Sequence, residues 1–364
     1  MINKVVVIVL FFLLGGCVEP YPVPTQKITP KLVVDGLITD EPGPHTVTLV
    51  MSATLTDDPF NFSYVGGAQL TIRDDLGTII QLLESTPGIY KTTPGTWHAT
   101  LGRSYSLKIV LTDGRAYESE TQLLYPAGEI IHLTPQFMEN SINHNDPAKP
   151  QDSFGMYMDA AGVDKSPNLY RWRWIGIYEV LSFPELHQKV ISTPFGGTLA
   201  ADPLPCSAVF APDGLCTCCS CWVSEYSSIA KVSNNQFVSD NQFNSVFLDK
   251  IPVDRRRFYK KYHFEVQQVS LSESVYSFWK LVSAQQSGAN NIFQPNAIKI
   301  RGNVNSTTNA NEEVFGVVAF SSITRKSVEL TQFDVPAKVQ YIDSVKNDCR
   351  TLEKYSSNIK PPFW

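Results

Sequence analysis

Hydrophobic and polar residues alternate along most of the first third of the chain. Between residues 31 and 125 this period of two recurs in short runs, among them 46–50 and 104–110. Such runs are typical of strands with one buried and one exposed face. Turn sequences separate them, and Asp113-Gly114 is the strongest hairpin signal. About seven short strands in this stretch predict an immunoglobulin-like or fibronectin-like β-sandwich.

The alternation resumes after a proline-containing connection and predicts a second β-rich domain over residues 126–364. In its most regular strand, 168–180, one face holds Tyr170, Trp172, Trp174 and Tyr178, and the other holds Arg171, Arg173 and Glu179. Aromatic residues at period two usually form the face that packs on a core. The alternative is a ligand-stacking platform, to which Trp222 would add a further ring.

One segment changes from a period of two to helical spacing. Ser270 and Glu273 match a capping box. Apolar residues then recur three, four and seven positions apart, at Val275, Phe278, Trp279 and Val282. We therefore expect a helix over 271–286, packed on the sheet of the second domain. The least regular segment, 181–250, holds most of the cysteines and is expected to be functional or cross-linked.

The beginning of the chain has the pattern of a secretory signal peptide. Lys4 precedes an apolar run, 5–14, and Gly15-Gly16 precedes Cys17. The run is too short to span a bilayer as a helix, which takes about 20 residues. A Cys directly after the small pair resembles the lipobox of bacterial lipoproteins. That resemblance implies that residues 1–16 are removed and that Cys17 carries two or three acyl chains, which hold a protein stably on a membrane.

Residues 17–30 are rich in proline and predict an extended tether between the lipid and the folded part. Glu19 is the only charge close behind Cys17. It is a weak match to the surface-export signal of Bacteroidota lipoproteins. The cell surface is therefore favoured over the periplasmic face, and both alternatives stay open.

Composition and charge narrow the class of partner. The chain is 43% hydrophobic, as expected for globular domains. Removal of residues 1–16 takes one of 30 basic residues and none of 35 acidic ones, which leaves a net charge near −6. This negative net charge argues against nucleic acid as a binding partner and against electrostatic docking on anionic lipid.

Six cysteines remain after Cys17 is assigned to the lipid: Cys206, Cys216, Cys218, Cys219, Cys221 and Cys349. An even number in an exported chain favours disulfides, with Cys206 and Cys349 each bridging to the cluster at 216–221. The adjacent Cys218 and Cys219 are expected to reach separate partners, because a ring between neighbours is strained. The full pairing stays open.

The cluster also allows a metal site or redox-active thiols. Four thiolates favour Cu(I) or Zn(II), and the ligands would be Cys216, Cys218, Cys219 and Cys221. Their spacing differs from the two separated pairs of a structural zinc site.

Catalytic motifs are missing from the sequence. The six His never form a His-Glu-x-x-His pair, and there is no Gly-x-Ser-x-Gly elbow, P-loop or dinucleotide-binding glycine pattern. Distant residues can still assemble a triad, so this lowers the expectation of an enzyme without excluding one. The sequence predicts a protein that is not an enzyme and that has no cofactor.

The order of short motifs along the mature chain resembles one family. The motifs include the run 32–40, Asp113-Gly114-Arg115, Cys221-Trp222, Phe278-Trp279 and Asp348-Cys349-Arg350. They are similar to the Bacteroidota lipoproteins grouped as the domain of unknown function 4249 family. Its members are outer-membrane lipoproteins, often encoded beside TonB-dependent transporters.

The resemblance implies a lipid-anchored, non-enzymatic accessory or binding protein of the outer membrane. Its expected partners are membrane lipid, through Cys17, and the barrel of a TonB-dependent transporter. Metal capture by the cluster at 216–221 is the alternative function.

Overall fold

The computed structural model of the chain describes the following ranges: 30–52, 63–142, 150–181, 188–192, 209–212, 220–233, 240–254, 256–288, 299–336, 349–351 and 354–364. For residues 188–192 and 209–212 it describes the backbone alone.

Almost all regular structure in these ranges is β. The strands up to residue 125 are β1 (Leu32–Thr39), β2 (Thr46–Met51), β3 (Ser63–Tyr64), β4 (Gln69–Asp74), β5 (Ile79–Thr86), β6 (Ile89–Lys91), β7 (Ser104–Val110), β8 (Ala116–Ser119) and β9 (Gln122–Leu123). The middle of the chain forms β10 (Glu129–Ile142), β11 (Gln151–Ala161), β12 (Tyr170–Leu181), β13 (Gln188–Ser192), β14 (Val209–Pro212), β15 (Ser220–Tyr226), β16 (Lys231–Val232), β17 (Gln242–Pro252) and β18 (Lys261–Ser270). The last part forms α1 (Glu273–Gly288), β19 (Val304–Ser306), β20 (Phe315–Ser321), β21 (Ile323–Thr331), a 3₁₀ turn (Cys349–Thr351) and β22 (Ser356–Ser357).

The first sandwich is built from an 11-stranded sheet in the order β19-β8-β7-β4-β5-β6-β2-β1-β20, with β3 beside β2 and β9 beside β7. The sheet folds over on itself along β5, whose first half pairs with β4 and whose second half pairs with β6. Alternate residues of each strand point inward, as Leu32, Val34 and Ile38 do from β1. The fold is therefore mainly β with a sandwich at its start, as the alternation predicted.

Two strands of the first sandwich come from the far end of the chain. β20 pairs in parallel with β1, from Val33 opposite Phe315 to Thr39 opposite Ser321. β19 pairs with β8. The sequence pattern had grouped both strands with the second domain. A period of two predicts a strand but does not predict which strand it pairs with. Parallel strands in particular need a long connection, so the partner is not a neighbour in sequence.

The second sandwich packs a three-stranded sheet, β10-β11-β17, against a six-stranded one. The larger sheet has the order β21-β18-β12-β15-β22, with β16 beside β12. The aromatic face of β12 lies in the core between the two sheets, together with Phe154, Met156 and Phe264. The backbones of β13 and β14 form a separate hairpin.

Helix α1 lies between the two sandwiches. The prediction of a helix over 271–286 is confirmed with a shift of two residues at each end. The predicted capping residue Ser270 instead ends β18, and its hydroxyl donates to the carbonyl of Tyr125 at 2.6 Å. The helix also reaches beyond the second sheet, because Val275 packs with Val317 and Ala319 of β20. No helix among the described residues is long and apolar enough to cross a membrane.

A direct strand connection joins the sandwiches. Ser322 is the one residue between β20 of the first sandwich and β21 of the second. Its hydroxyl donates to the carboxylate of Asp40 at 2.6 Å, and Asp40 also accepts from the backbone N–H of Ile323. This connection and its two hydrogen bonds therefore join the first sandwich to the second.

Candidate functional site

The candidate site is the cleft between the outer faces of the two sandwiches. Arg171 and Arg173 on β12 point away from the aromatic core, because residues alternate across a strand. Asp35 on β1 likewise points away from the core of the first sandwich. The space between these faces has a volume of about 540 Å³. We use "the cleft" for this space and its charged and aromatic lining: Asp35, Glu41, His45, Arg171, Arg173, Trp279 and Arg325.

The guanidinium of Arg171 stacks on the ring of Trp279, a residue of α1. Its guanidinium carbon lies 3.4 Å from the ring centroid of Trp279. Its Nε is buried and has no hydrogen-bond partner in the part of the chain that the structure describes. Burial, followed by the positive charge of Arg173, lowers the pKa of Arg171 to about 10, so that it is still a cation at neutral pH.

Arg173 lies two residues further along the same face. Its Nε donates to the side-chain oxygen of Gln267 at 2.6 Å. Burial lowers its pKa, and the charge of Arg325 lowers it further. Among the described residues, no carboxylate oxygen lies within 4.0 Å of either guanidinium, Arg171 or Arg173. The cleft therefore keeps two neighbouring cations without a direct counter-ion.

Asp35 faces the two arginines across the cleft. The side chain of Asp35 is exposed to solvent within the cleft, but desolvation by the surrounding walls raises its pKa above the ordinary value, against the lowering effect of Arg171 and Arg173. The carboxylate forms no hydrogen bond or ion pair with the part of the chain that the structure describes. Opposite charges thus face each other here without closing into a salt bridge.

Arg325 forms part of the cleft lining but is neutralised by its neighbours. Two of its nitrogens contact the carboxylate of Glu41 at 2.6 Å each, and a third contacts Glu265 at 2.6 Å. Glu41 belongs to the first sandwich, and the other two belong to the second. The fork of hydrogen bonds therefore ties the sandwiches together, and Arg325 with its two carboxylates carries a net charge of −1.

His45 is a buried neutral donor beside these charges. Its Nδ1 accepts from the backbone N–H of Thr39 at 3.3 Å, which places the proton of the neutral ring on Nε2. Burial lowers the pKa of His45, which favours the neutral form. Nε2 is buried and has no partner among the described residues.

A second cavity, of about 870 Å³, lies beside Tyr178, Tyr226 and Tyr355. It is larger than the cleft, but its central charges are paired. The Nε of Arg257 donates to Glu225 at 3.1 Å, and Arg257 also pairs with Asp254. We therefore regard the cleft, whose two arginines have no direct counter-ion among the described residues, as the stronger candidate for a charged ligand.

The predicted stacking residues of β12 lie in the core instead of a site. Tyr170, Trp172 and Trp174 are at most 8% exposed. Their polar atoms form hydrogen bonds within the protein; for example, Trp172 Nε1 donates to Gln268 Oε1 at 2.7 Å. Trp222 is half-buried and lies edge-on against Trp364. In the cleft, the ring that lies beside a cation is that of Trp279, which the sequence pattern marked only as a core residue of the helix.

One of the candidate disulfides is described. Cys221 and Cys349 are bonded, with their Cα atoms 5.7 Å apart, and the bond links the C-terminal tail to the cysteine cluster. The other predicted cysteine sites lie outside the described residues: Cys17, Cys206, Cys216, Cys218 and Cys219. Within the described ranges, no group of three or more His, Cys, Asp or Glu side chains is arranged to hold a metal ion.

The fold and the cleft define a class of protein: two β-sandwiches, fused through a shared strand connection, with a charged cleft between them. A family model described as a domain of unknown function, DUF4249, matches residues 18–327. The chain belongs to this family. The match extends over both walls of the cleft, from Asp35 to Arg325. No curated protein matches the chain in sequence.

Proposed function

We propose that the protein is a lipid-anchored, non-enzymatic binding protein of the outer membrane that works with a TonB-dependent transporter. The observation that carries the binding role is the cleft, where Arg171 and Arg173 face Asp35 without ion pairs. A concave site with a small number of placed charged groups is typical of ligand-binding pockets. As a transport partner, the protein would contribute a binding surface and not a reaction.

The anchor is supported by the sequence before residue 30. The lipobox places Cys17 directly after Gly15-Gly16, and the proline-rich segment behind it has the composition of a tether. A lipidated Cys17 would hold the two sandwiches close to the membrane surface. The cell-surface face remains our expectation.

The metal-capture alternative has less support. Cys221 is bonded to Cys349, so its sulfur is not a thiolate ligand in this chain. The three other proposed ligands lie outside the described residues. No specific observation favours this function over the cleft.

Co-purification from native membranes tests the proposed function. An affinity tag placed in the exposed turn at Gly77, where no atom lies within 4 Å of the Cβ position, leaves the cleft and the C-terminal tail free. After mild-detergent extraction, we expect a transporter barrel to be recovered with the tagged protein in near-equal amount.

The matched control is Cys17→Ala with the same tag. Without its lipid acceptor, this chain is expected in the soluble fraction and without the barrel. Recovery of the wild-type lipoprotein alone would contradict the transporter partnership. Equal membrane retention of both chains would contradict the anchor.

A further inference from the structure

We infer that the cleft binds a small anionic ligand through a carboxylate or phosphate group held by Arg171 and Arg173. This inference rests on the proposed function, because it names the class of ligand for the binding role. The charge of the cleft, the spacing of the two arginines and the stacking of Arg171 support it.

The charges of the cleft fall into two groups. Arg325 pairs with both Glu41 and Glu265, which leaves a net charge of −1 on that network. The other group is Arg171 and Arg173 facing Asp35, with a net charge of +1 when Asp35 is ionised. Burial lowers the pKa of both arginines, and the charge of Arg173 lowers that of Arg171 further, so an anion placed between them would stabilise their charged forms.

The geometry of β12 suits an anion with two or more oxygens. Residues two apart on a strand lie on the same face, about 7 Å from each other along the strand. Long side chains at that spacing can converge on one group from two sides. Arginine donates to carboxylate and phosphate through pairs of parallel N–H groups, which gives orientation as well as strength.

Trp279 fixes the direction of the donors. The guanidinium of Arg171 lies over the ring at 3.4 Å, so its face is used by the stacking contact. Its N–H donors lie in the guanidinium plane. Nε has no partner among the described residues but is shielded from solvent, so a ligand would meet the terminal N–H groups. The stack thus holds a planar set of donors in place before a ligand arrives, which lowers the entropy lost on binding.

His45 also belongs to the lining, and it is 5% exposed. Its Nε2 has no partner in the described part of the chain, but this atom is shielded from solvent. The donors that the cleft offers to a ligand are therefore those of the two arginines.

Titration calorimetry on the purified folded chain tests the inference, with succinate and inorganic phosphate as the probes and chloride to match the ionic strength. We expect at least one probe to bind, and the tighter of the two identifies the preferred group. Arg171→Met and Arg173→Met should each weaken binding by about tenfold to hundredfold, because each removes a charge-assisted contact.

Two further variants make the result specific. Arg301→Met removes an arginine whose side chain is 81% exposed and does not line the cleft, and this variant should bind the probe as tightly as wild type. Asp35→Asn removes the one unpaired carboxylate and should tighten binding. Circular dichroism confirms that each variant is folded before its affinity is compared.

The inference is overturned if neither probe binds, if Arg301→Met weakens binding as much as Arg171→Met, or if Asp35→Asn weakens it. These outcomes are separate from failure of the proposed function. A chain that co-purifies with a barrel but binds neither probe keeps the transporter role and loses the anion site. A chain that binds the probe through Arg171 but brings no barrel keeps the anion site and loses the transporter role.

Discussion

Replacing Gly316 with Ala is expected to lower the free energy of unfolding by about 3–5 kcal/mol. Gly316 has φ +84°, a conformation that side chains rarely adopt, and a Cβ there would lie 2.0 Å from the carbonyl oxygen of Val34. The clash is with backbone, so no change of rotamer relieves it. The parallel pairing of β1 with β20 would have to open.

Gly77→Ala is the matched control for this substitution. Gly77 also has φ +84°, but nothing lies within 4 Å of its Cβ position. The substitution should lower the free energy of unfolding only by the backbone strain, about 1–2 kcal/mol. Urea unfolding of both variants gives the comparison, and equal losses would contradict the close packing of β20 against β1.

Removing the disulfide by the double substitution Cys221→Ala and Cys349→Ala should lower the free energy of unfolding by about 2–5 kcal/mol. The bonded residues are 128 apart in sequence, so the bond restricts a long loop in the unfolded chain. Both cysteines are fully buried, and the bond holds the tail on β15, where Ser224 N–H donates to the carbonyl of Tyr355 at 3.1 Å. Loss of the bond should therefore free the tail as well.

Urea unfolding with and without a phosphine reductant measures this effect. Wild type should become less stable in the reductant, whereas the double variant should change little. A double variant within about 1 kcal/mol of wild type would contradict a stabilising role for the bond. Proteolysis near Lys354, an exposed residue, reports whether the tail has been released.

Local patterns along the chain predicted much of the secondary structure. Alternation identified β12 and the two sets of side chains on its faces, and helical spacing placed α1 within two residues of its observed ends. These features depend on neighbours that are close in sequence, which is why periodicity reveals them. Ser270 is the exception, because its hydroxyl is taken by Tyr125, a residue far away in sequence.

The partners of each face were not predictable in the same way. Periodicity correctly predicted which residues of β12 lie on its aromatic face and which on its arginine face. It did not predict which elements pack against each face. The aromatic face meets β11 and β17 in the core, and the arginine face meets the first sandwich across the cleft. That arrangement follows from the long-range pairing of β20 with β1, which brings the end of the chain back to its beginning.

Native mass spectrometry of the protein extracted from its own membranes tests most directly whether this is a binding protein with its site in the cleft. We expect a small anionic molecule to be bound to the wild-type chain and to Arg301→Met, and to be missing from Arg171→Met. The absence of any adduct on the wild-type chain, or the same adduct on Arg171→Met, would contradict it.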